Sequence, residues 1–430
     1  MVSGNFLLEG DYPLDRPRNP LIMSEEKRKL IFLWNYVEWG GAQIYFLSIM
    51  KRADPKWDVL AILPEDSKPE IFSLLKENKI RYEVLRFHLE NNPAPTLRAK
   101  ILRQLRRIRS EIEVYTHLWR IDLANSILHI ESAPWQSWIL LTALAMRGNI
   151  FVTLHNFRPD APGWRRWIWK IRFLFLTFFK RFNIFASNVD TKKSLKSWVN
   201  DSFWNRIRVT YTSVDTFQTE AIRASTLDRS ALRRRFSIPE NKFVVLAVGQ
   251  FIDRKGRWIF LEAIEKISKL RDDIIFVWLM PSLPSANDNL RIKGYDNIGD
   301  RFLPVLSSDI GLSRSDVLFF FLVADVFALP SYIEGLPIAL LEAMSLQIPS
   351  ISTNVYAIPE AIRHEETGLL IEPGNADQLA EAVLRLRTHR ELRNLIGVAG
   401  SEIVRSTFDE SDSAKVAFQA YDNCFNANRQ

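Results

Sequence analysis

Between Lys29 and Pro373 the chain repeats one pattern: a short apolar run closed by a turn or helix signal, then a stretch of helical length. Nothing else in the sequence constrains the fold so tightly. Runs of continuous Val, Ile, Leu and Phe are buried on both faces, and that requires helices covering a parallel sheet. In the first half the runs are LIFLWNYV (30–37), DVLAILP (58–64), YEVLRF (82–87), SILHI (126–130), IFVTLH (150–155), NIFAS (183–187) and RIRVTY (206–211). A polar stretch through Asn241 separates them from a second series, KFVVLAVGQF (242–251), DIIFVWLM (273–280), DVFALP (325–330), PSISTN (349–354) and GLLIEP (368–373). The reading is α/β, two doubly wound Rossmann-like domains. The 430 residues exceed what one core serves, since single cores stop growing near ~250–300 residues. The expected division is an extension over 1–28, a first domain over 29–215, a linker over 216–241, a second domain over 242–406 and a final segment over 407–430.

Sheets of this kind bind ligands beyond the carboxyl ends of their strands, so the residues just after each run are the first candidates. SYIEGLPIALLEAM (331–344) follows the run DVFALP. Glu334 is expected in the loop, Pro337 at the first helical position where its missing N–H costs nothing, and Glu342 further into the helix. The amides of Gly335 and Leu336 then face outward with the positive end of the helix dipole, where a phosphate or sugar hydroxyl binds. The bland alternative makes Glu334 a first-turn carboxylate and Glu342 a solvated helix residue.

AVGQFIDRKG (247–256) sets Gln250 in a glycine turn and Lys255 before Gly256 at a helix start. The pair Gly40–Gly41 lies between the first strand and its helix, where a missing Cβ admits a phosphate to the backbone, or simply serves a tight turn. His129 and His155 each end a strand run, and a lone histidine is usually structural.

The segment from Glu334 through IPSISTNVYAIPEAIRHEETGLLIEPGNADQLAEAV resembles the second domain of the family 4 retaining glycosyltransferases, the glycosyl transferases group 1, which have the GT-B fold. The resemblance covers nearly the whole chain. It implies that Glu334 faces a donor sugar, that Glu342 binds the ribose of a nucleotide, and that Gly335, Leu336 and Pro337 lie between them at sugar and phosphates. It implies further that Lys255 grips the diphosphate, that Gly40 and Gly41 form the glycine loop of an acceptor domain, and that His155 approaches the donor sugar. The final helix is then expected to cross back to the first domain. Gln250 stands where the family usually has arginine, Gln347 and Tyr356 where it usually has glycine, and Thr212-Ser213 where it usually has Asn-Gly.

The only cysteine is Cys424, so no intramolecular disulfide forms and no cysteine zinc site can be built. There is no Asp-x-Asp triplet and no His or carboxylate cluster at metal-ligand spacing, and neither a metal nor another cofactor is expected. The N-terminus carries acidic residues where a signal peptide carries positive charge, and no run approaches the ~18 apolar residues of a spanning helix. The expectation is a cytoplasmic protein.

Residues 1–200 hold 31 Lys and Arg against 20 Asp and Glu, and the remainder 26 against 30, which implies an anionic partner for the first half. Within it, GWRRWIWKIRFLFLTFFKRF (163–182) places Trp164, Trp167, Ile168, Ile171, Phe175, Phe178, Phe179 and Phe182 on one helical face, expected to be core. Trp169, Phe173 and Leu176 form a second apolar spot among Arg165, Arg166, Lys170, Arg172, Lys180 and Arg181, a pattern suited to an anionic membrane surface. The helix LRAKILRQLRRIR (97–109) adds cations to that surface.

Two functional readings follow. The first is a metal-independent, membrane-peripheral glycosyltransferase using a nucleotide-sugar donor and a lipid-linked, polysaccharide-precursor or other glycan acceptor. The second, motivated by Gln250, is a catalytically inactive GT-B scaffold or partner in glycan assembly. A dinucleotide oxidoreductase fits poorly, since no G-x-G-x-x-G follows a strand, and no nucleic-acid recognition motif is present.

Overall fold

The computed structural model describes residues 27–34, 40–87, 96–157, 162–225, 228–295, 298–311 and 313–427. The extension expected over 1–28 lies outside them except for its last two residues, as do residues 35–37 of the first run.

Seven strands form the first sheet: β1 (Arg28–Leu33), β2 (Trp57–Pro64), β3 (Arg81–Leu85), β4 (Ser126–Ile130), β5 (Asn149–Leu154), β6 (Phe182–Ala186) and β7 (Arg208–Val209). Their order is β3-β2-β1-β4-β5-β6-β7, and every pair is parallel. The second sheet contains β8 (Phe243–Val248), β9 (Ile274–Met280), β10 (Phe302–Leu306), β11 (Val326–Leu329), β12 (Ser350–Thr353) and β13 (Leu369–Ile371), in the all-parallel order β10-β9-β8-β11-β12-β13.

Both sheets are covered on both faces. Along β1, Leu30 and Phe32 enter one core while Ile31 and Leu33 enter the other, and β8 divides Val244 and Leu246 from Phe243 and Val245 in the same way. Alternation with apolar residues on both sides is what makes these strands read as unbroken apolar runs.

β10 is absent from the sequence reading because Pro304 interrupts it. It is an edge strand, where a missing N–H removes no ladder hydrogen bond that the sheet needs.

The stretch 216–241 is more ordered than a linker. It folds as helices Thr216–Ala224 and Arg229–Arg235, whose first turns are capped by Asp215 and Asp228. Buried Arg233 ties the second helix to the second domain, donating to the Val323 and Glu240 carbonyls and pairing with Asp325 at 2.8 Å.

The helix Gly163–Leu176 reverses an expectation. Phe173 and Leu176 are fully buried, with Trp169 packed behind them against Trp135, whereas Trp164, Trp167, Ile168, Ile171, Phe175 and Phe178 are exposed. The faces are exchanged except at Phe179, which packs on the core, and the spot of Trp169, Phe173 and Leu176 expected at a membrane surface is buried. The smaller set fits a pocket built by Phe157, Trp135 and Trp198, residues distant in sequence that no helical wheel contains. Phe182 is not part of this helix but opens β6.

The helix Glu410–Ala427 crosses from the second domain to the first, where Ala417, Tyr421 and Phe425 complete a core beside the helix Gly41–Met50. Its Tyr421 hydroxyl meets Nδ1 of buried His129 at 2.7 Å, and Nε2 of His129 meets Thr153 at 2.7 Å. Burial holds this imidazole well below its usual range, hence neutral, so His129 is a structural residue.

Tyr421→Phe keeps the ring packing and strands a buried imidazole nitrogen. It should destabilise the protein by about 1–3 kcal/mol in denaturant unfolding; an unchanged midpoint would show that the hydroxyl contributes nothing to docking the helix.

Candidate active site

The strand order reverses between β1 and β4 in one sheet and between β8 and β11 in the other, so each domain offers its switch point at its strand carboxyl ends. From the second domain come Lys255 and Glu334. Gly249 follows β8, and a single turn of 3₁₀ helix, Asp253–Lys255, carries Lys255 back toward the loop after β11. Gly256 closes that turn at φ +74°, and a Cβ there would fall 1.9 Å from the Pro330 carbonyl oxygen, so only glycine fits.

Glu334 is buried. Oε1 pairs with Lys255 Nζ and accepts from Ser331 Oγ at 3.3 Å, while Oε2 lies 3.4 Å from Arg254 Nη1. Arg254 is itself fixed by donating to the Ile333 carbonyl at 3.0 Å. Gln250 is exposed in the preceding turn, and Arg254 supplies a second cation to the cluster at that end of β8.

The facing wall is built by β4 and β5. His155 follows β5, and its Nε2 lies 3.1 Å from Oε1 of Glu131, the residue that follows β4. Glu131 is buried, and its other oxygen has no hydrogen-bond partner among the described residues. The carbonyl of His155 accepts from Asn188 Nδ2 at 3.0 Å, and Asn188 Oδ1 caps the helix Val189–Leu195.

The walls touch. A Cβ on Gly335 would lie 2.5 Å from the His155 carbonyl oxygen, and one on Gly41 would lie 3.7 Å from Ile338. Glu360 reaches from the second domain to accept from the Val189 and Asp190 amides at 2.9 and 2.8 Å, satisfying the first turn of a helix in the other domain. Burial, with Glu360 beside it, pushes the Tyr211 hydroxyl up to about 12.

His155, Lys255, Glu334, Gly335 and the Gly40–Gly41 turn therefore share one cleft. Leu336 is buried behind it, and Pro337 caps the helix Ile338–Ser345 from just outside rather than opening it. Glu342 lies apart from Lys255. It is buried in an ion pair with Arg314 and lines a cavity of about 100 Å³ between the domains, near Lys51, Asp215 and Glu410. Burial lowers Arg314 to about 10, still a cation at neutral pH.

Gln347 and Tyr356 have φ of +60° and +49°, the left-handed region where glycine is free of strain. Sequence reasoning passed over Glu131, Arg314 and Glu360. Glu131 carried a usable signal, since it directly follows a strand run. Among the described residues, no three His, Cys, Asp or Glu side chains gather as a metal site.

The solved structure of Anabaena Alr3699/HepE in complex with UDP and glucose superimposes with a TM-score of 0.71 at 18% identity, covering 92% of this chain and 99% of that one. A glycosyltransferase from Rickettsia africae superimposes with a TM-score of 0.70 at 16% identity, over 93% and 98% of the two chains. The chain has the GT-B fold. Residues 310–402 match the family model described as Glycosyl transferases group 1.

TuaC of Bacillus subtilis, named for teichuronic acid biosynthesis, is 29% identical over 194 residues, 45% of each chain. A GDP-mannose-dependent alpha-(1-6)-phosphatidylinositol monomannoside mannosyltransferase of Mycobacterium tuberculosis is 29% identical over 196 residues, 43% of this chain and 49% of that one. The chain thus spans about half the length of the curated relatives it matches.

Glu360→Ala removes the charged acceptor from two amides of the opposite domain. Amide exchange at Val189 and Asp190 should accelerate about tenfold, the equivalent of one charge-assisted hydrogen bond of ~1.5 kcal/mol, while exchange in β8 stays unchanged. Equal rates in variant and parent would mean that this contact does not hold the domains together.

Proposed function

We propose that the protein is a retaining glycosyltransferase that moves a sugar from a nucleotide-sugar to a lipid-linked, polysaccharide-precursor or other glycan acceptor without a metal ion. The observation that carries this reading is the Lys255–Glu334 pair, with Arg254 beside it, facing His155 and Glu131 across a closed cleft. The matched family description and the names of the relatives support it: one is GDP-mannose-dependent, and the HepE structure holds UDP and glucose.

In this reading Lys255 and Arg254 face the diphosphate and neutralise the charge that grows on it as the bond from the anomeric carbon to the phosphate oxygen breaks. Stabilisation of that developing charge is commonly the largest catalytic contribution. The acceptor hydroxyl oxygen bonds to the anomeric carbon on the same face, and its proton passes to the departing phosphate oxygen. Glu334 holds Lys255 in place and orients the sugar, and His155, beside Glu131, borders the sugar from the other domain. Closure of the cleft keeps water from intercepting the anomeric carbon. Glu342 with Arg314 is assigned to the ribose side of the nucleotide. Arg254 answers the substitution at Gln250, so this reading is favoured over an inactive scaffold.

Thermal unfolding with UDP, GDP and ADP, each alone and as sugar conjugates, tests the donor site. A ligand at 100 times its dissociation constant should add ~2.7 kcal/mol of stability, and one base should stand out. With the donor so identified, Lys255→Ala and Glu334→Ala should each lower kcat about 100- to 1,000-fold with the fold retained. Turnover absent from the parent with every donor would establish the scaffold reading instead.

A further inference from the structure

The long helix Leu97–Trp119 is inverted relative to an ordinary surface helix. Its buried side holds Arg107, Ser110, Val114 and Leu118. On its outer side Leu97, Ile101, Leu105, Ile108 and Ile112 follow one another at the three- and four-residue spacing of a single stripe, with Trp119 two turns further, all exposed. A second exposed apolar face runs along the 163–176 helix and just beyond it, where Trp164 is 64%, Trp167 68%, Ile171 61% and Phe178 72% exposed. Soluble monomers rarely leave contiguous apolar surface of this kind uncovered.

Between these two helices lies a cavity of about 470 Å³. The described residues that line it include Arg103, Arg107, Arg165 and Arg172 and no carboxylate. Arg107 forms part of its buried lining, held by Ser137 Oγ at 2.8 Å and Glu111 Oε1 at 3.2 Å. Arg165 stacks on Trp164 at 5.3 Å and Arg172 on Trp138 at 5.8 Å, so cation and aromatic ring are presented together. Trp135 also lines the cavity, and its indole N–H is buried without an acceptor among the described residues. Trp164 and Ile168 belong both to the cavity wall and to the exposed face. The anion site and the apolar surface are therefore continuous.

We propose that this cavity takes the phosphate of an anionic membrane lipid while the two apolar faces beside it settle at the boundary between headgroups and acyl chains. Charge complementarity identifies the occupant. Four arginines and no carboxylate among the described residues line the cavity, Arg107 of them paired with Glu111, which suits an anion, and exposed Trp, Phe, Ile and Leu on the flanking helices call for that anion to carry hydrocarbon. No helix among the described residues is long and apolar enough to cross a membrane, so the contact is peripheral on these helices. The docking surface is independent of the sugar chemistry in the cleft and stands or falls separately from it.

The test is co-sedimentation of the full-length protein with vesicles of phosphatidylcholine alone and of phosphatidylcholine mixed with phosphatidylglycerol. The parent should bind the mixed vesicles, lose binding as salt is raised, and leave the neutral ones. Arg103→Gln, Arg165→Gln and Arg172→Gln together should weaken partitioning on the order of 100-fold, from about fivefold per cation near an anionic surface. Trp164→Ser, Trp167→Ser and Ile171→Ser together should weaken it at least tenfold, with the melting temperature of both variants matching the parent. Absence of binding, or binding unchanged in either triple variant, overturns the proposal. So does stabilisation of the parent and the Trp164/Trp167/Ile171 variant alike by millimolar inorganic phosphate without vesicle binding, which would make the cavity a site for a soluble phosphate.

Discussion

Two segments of chain connect the domains, and they are hydrogen-bonded to each other. The Val214 amide donates to the Phe408 carbonyl and the Glu410 amide to the Val214 carbonyl, each at 3.0 Å, so the outgoing and returning strands form a bridge at one point. Charges reinforce it, since buried Glu410 pairs with both Lys51 and Arg52 of the first domain. Both crossings are thus tied at one place, and residues distant from it in sequence meet across the cleft. Hinge motions use a few such residues to swing bodies that are rigid elsewhere. Each domain here is built on a sheet packed on both faces.

The cleft places negative charge where it is expensive. Glu334 and Glu131 are buried, and a carboxylate taken from water without partners is costly. Glu334 is repaid by two cations, Lys255 and Arg254, and those same cations are what an incoming diphosphate would need. Glu334 in turn sets the spacing of the two cations. Among the described residues Glu131 has His155 alone within ion-pairing distance, and His155 Nε2 makes no hydrogen bond there.

Much of the architecture was legible in the residues. The apolar runs located twelve of the strands because both faces of each sheet are buried, and burial on both faces is visible in a one-dimensional pattern. β10 escaped because Pro304 argues against a strand everywhere except at an edge, and edges are a property of the assembled sheet. The helical segments after Asp215 escaped because a run such as RSALRRR reads as solvent-exposed, while in the fold Arg233 turns inward to the Val323 carbonyl.

The 163–176 helix shows the limit most plainly. Its two apolar faces could be separated by helical geometry, but which one meets the core depends on Trp135, Phe157 and Trp198, and these come from other elements. At the cleft, the positions after strands led to His155, Lys255 and Glu334, and the fold sets all three beyond the carboxyl ends of β5, β8 and β11. Glu360 and Arg314 were hidden because their partners are reached only after the chain has folded back on itself.

The contact at Gly335 bears on more than local packing. With hydrogen in place of a side chain, this residue lets the backbone of one domain rest on the carbonyl of His155 in the other, so it acts as a spacer of minimal thickness. The separation of the two walls at this point is therefore gauged by main chain against main chain, and rotamer changes in neighbouring side chains cannot retune it. Any larger residue at this position would have to push the two walls apart.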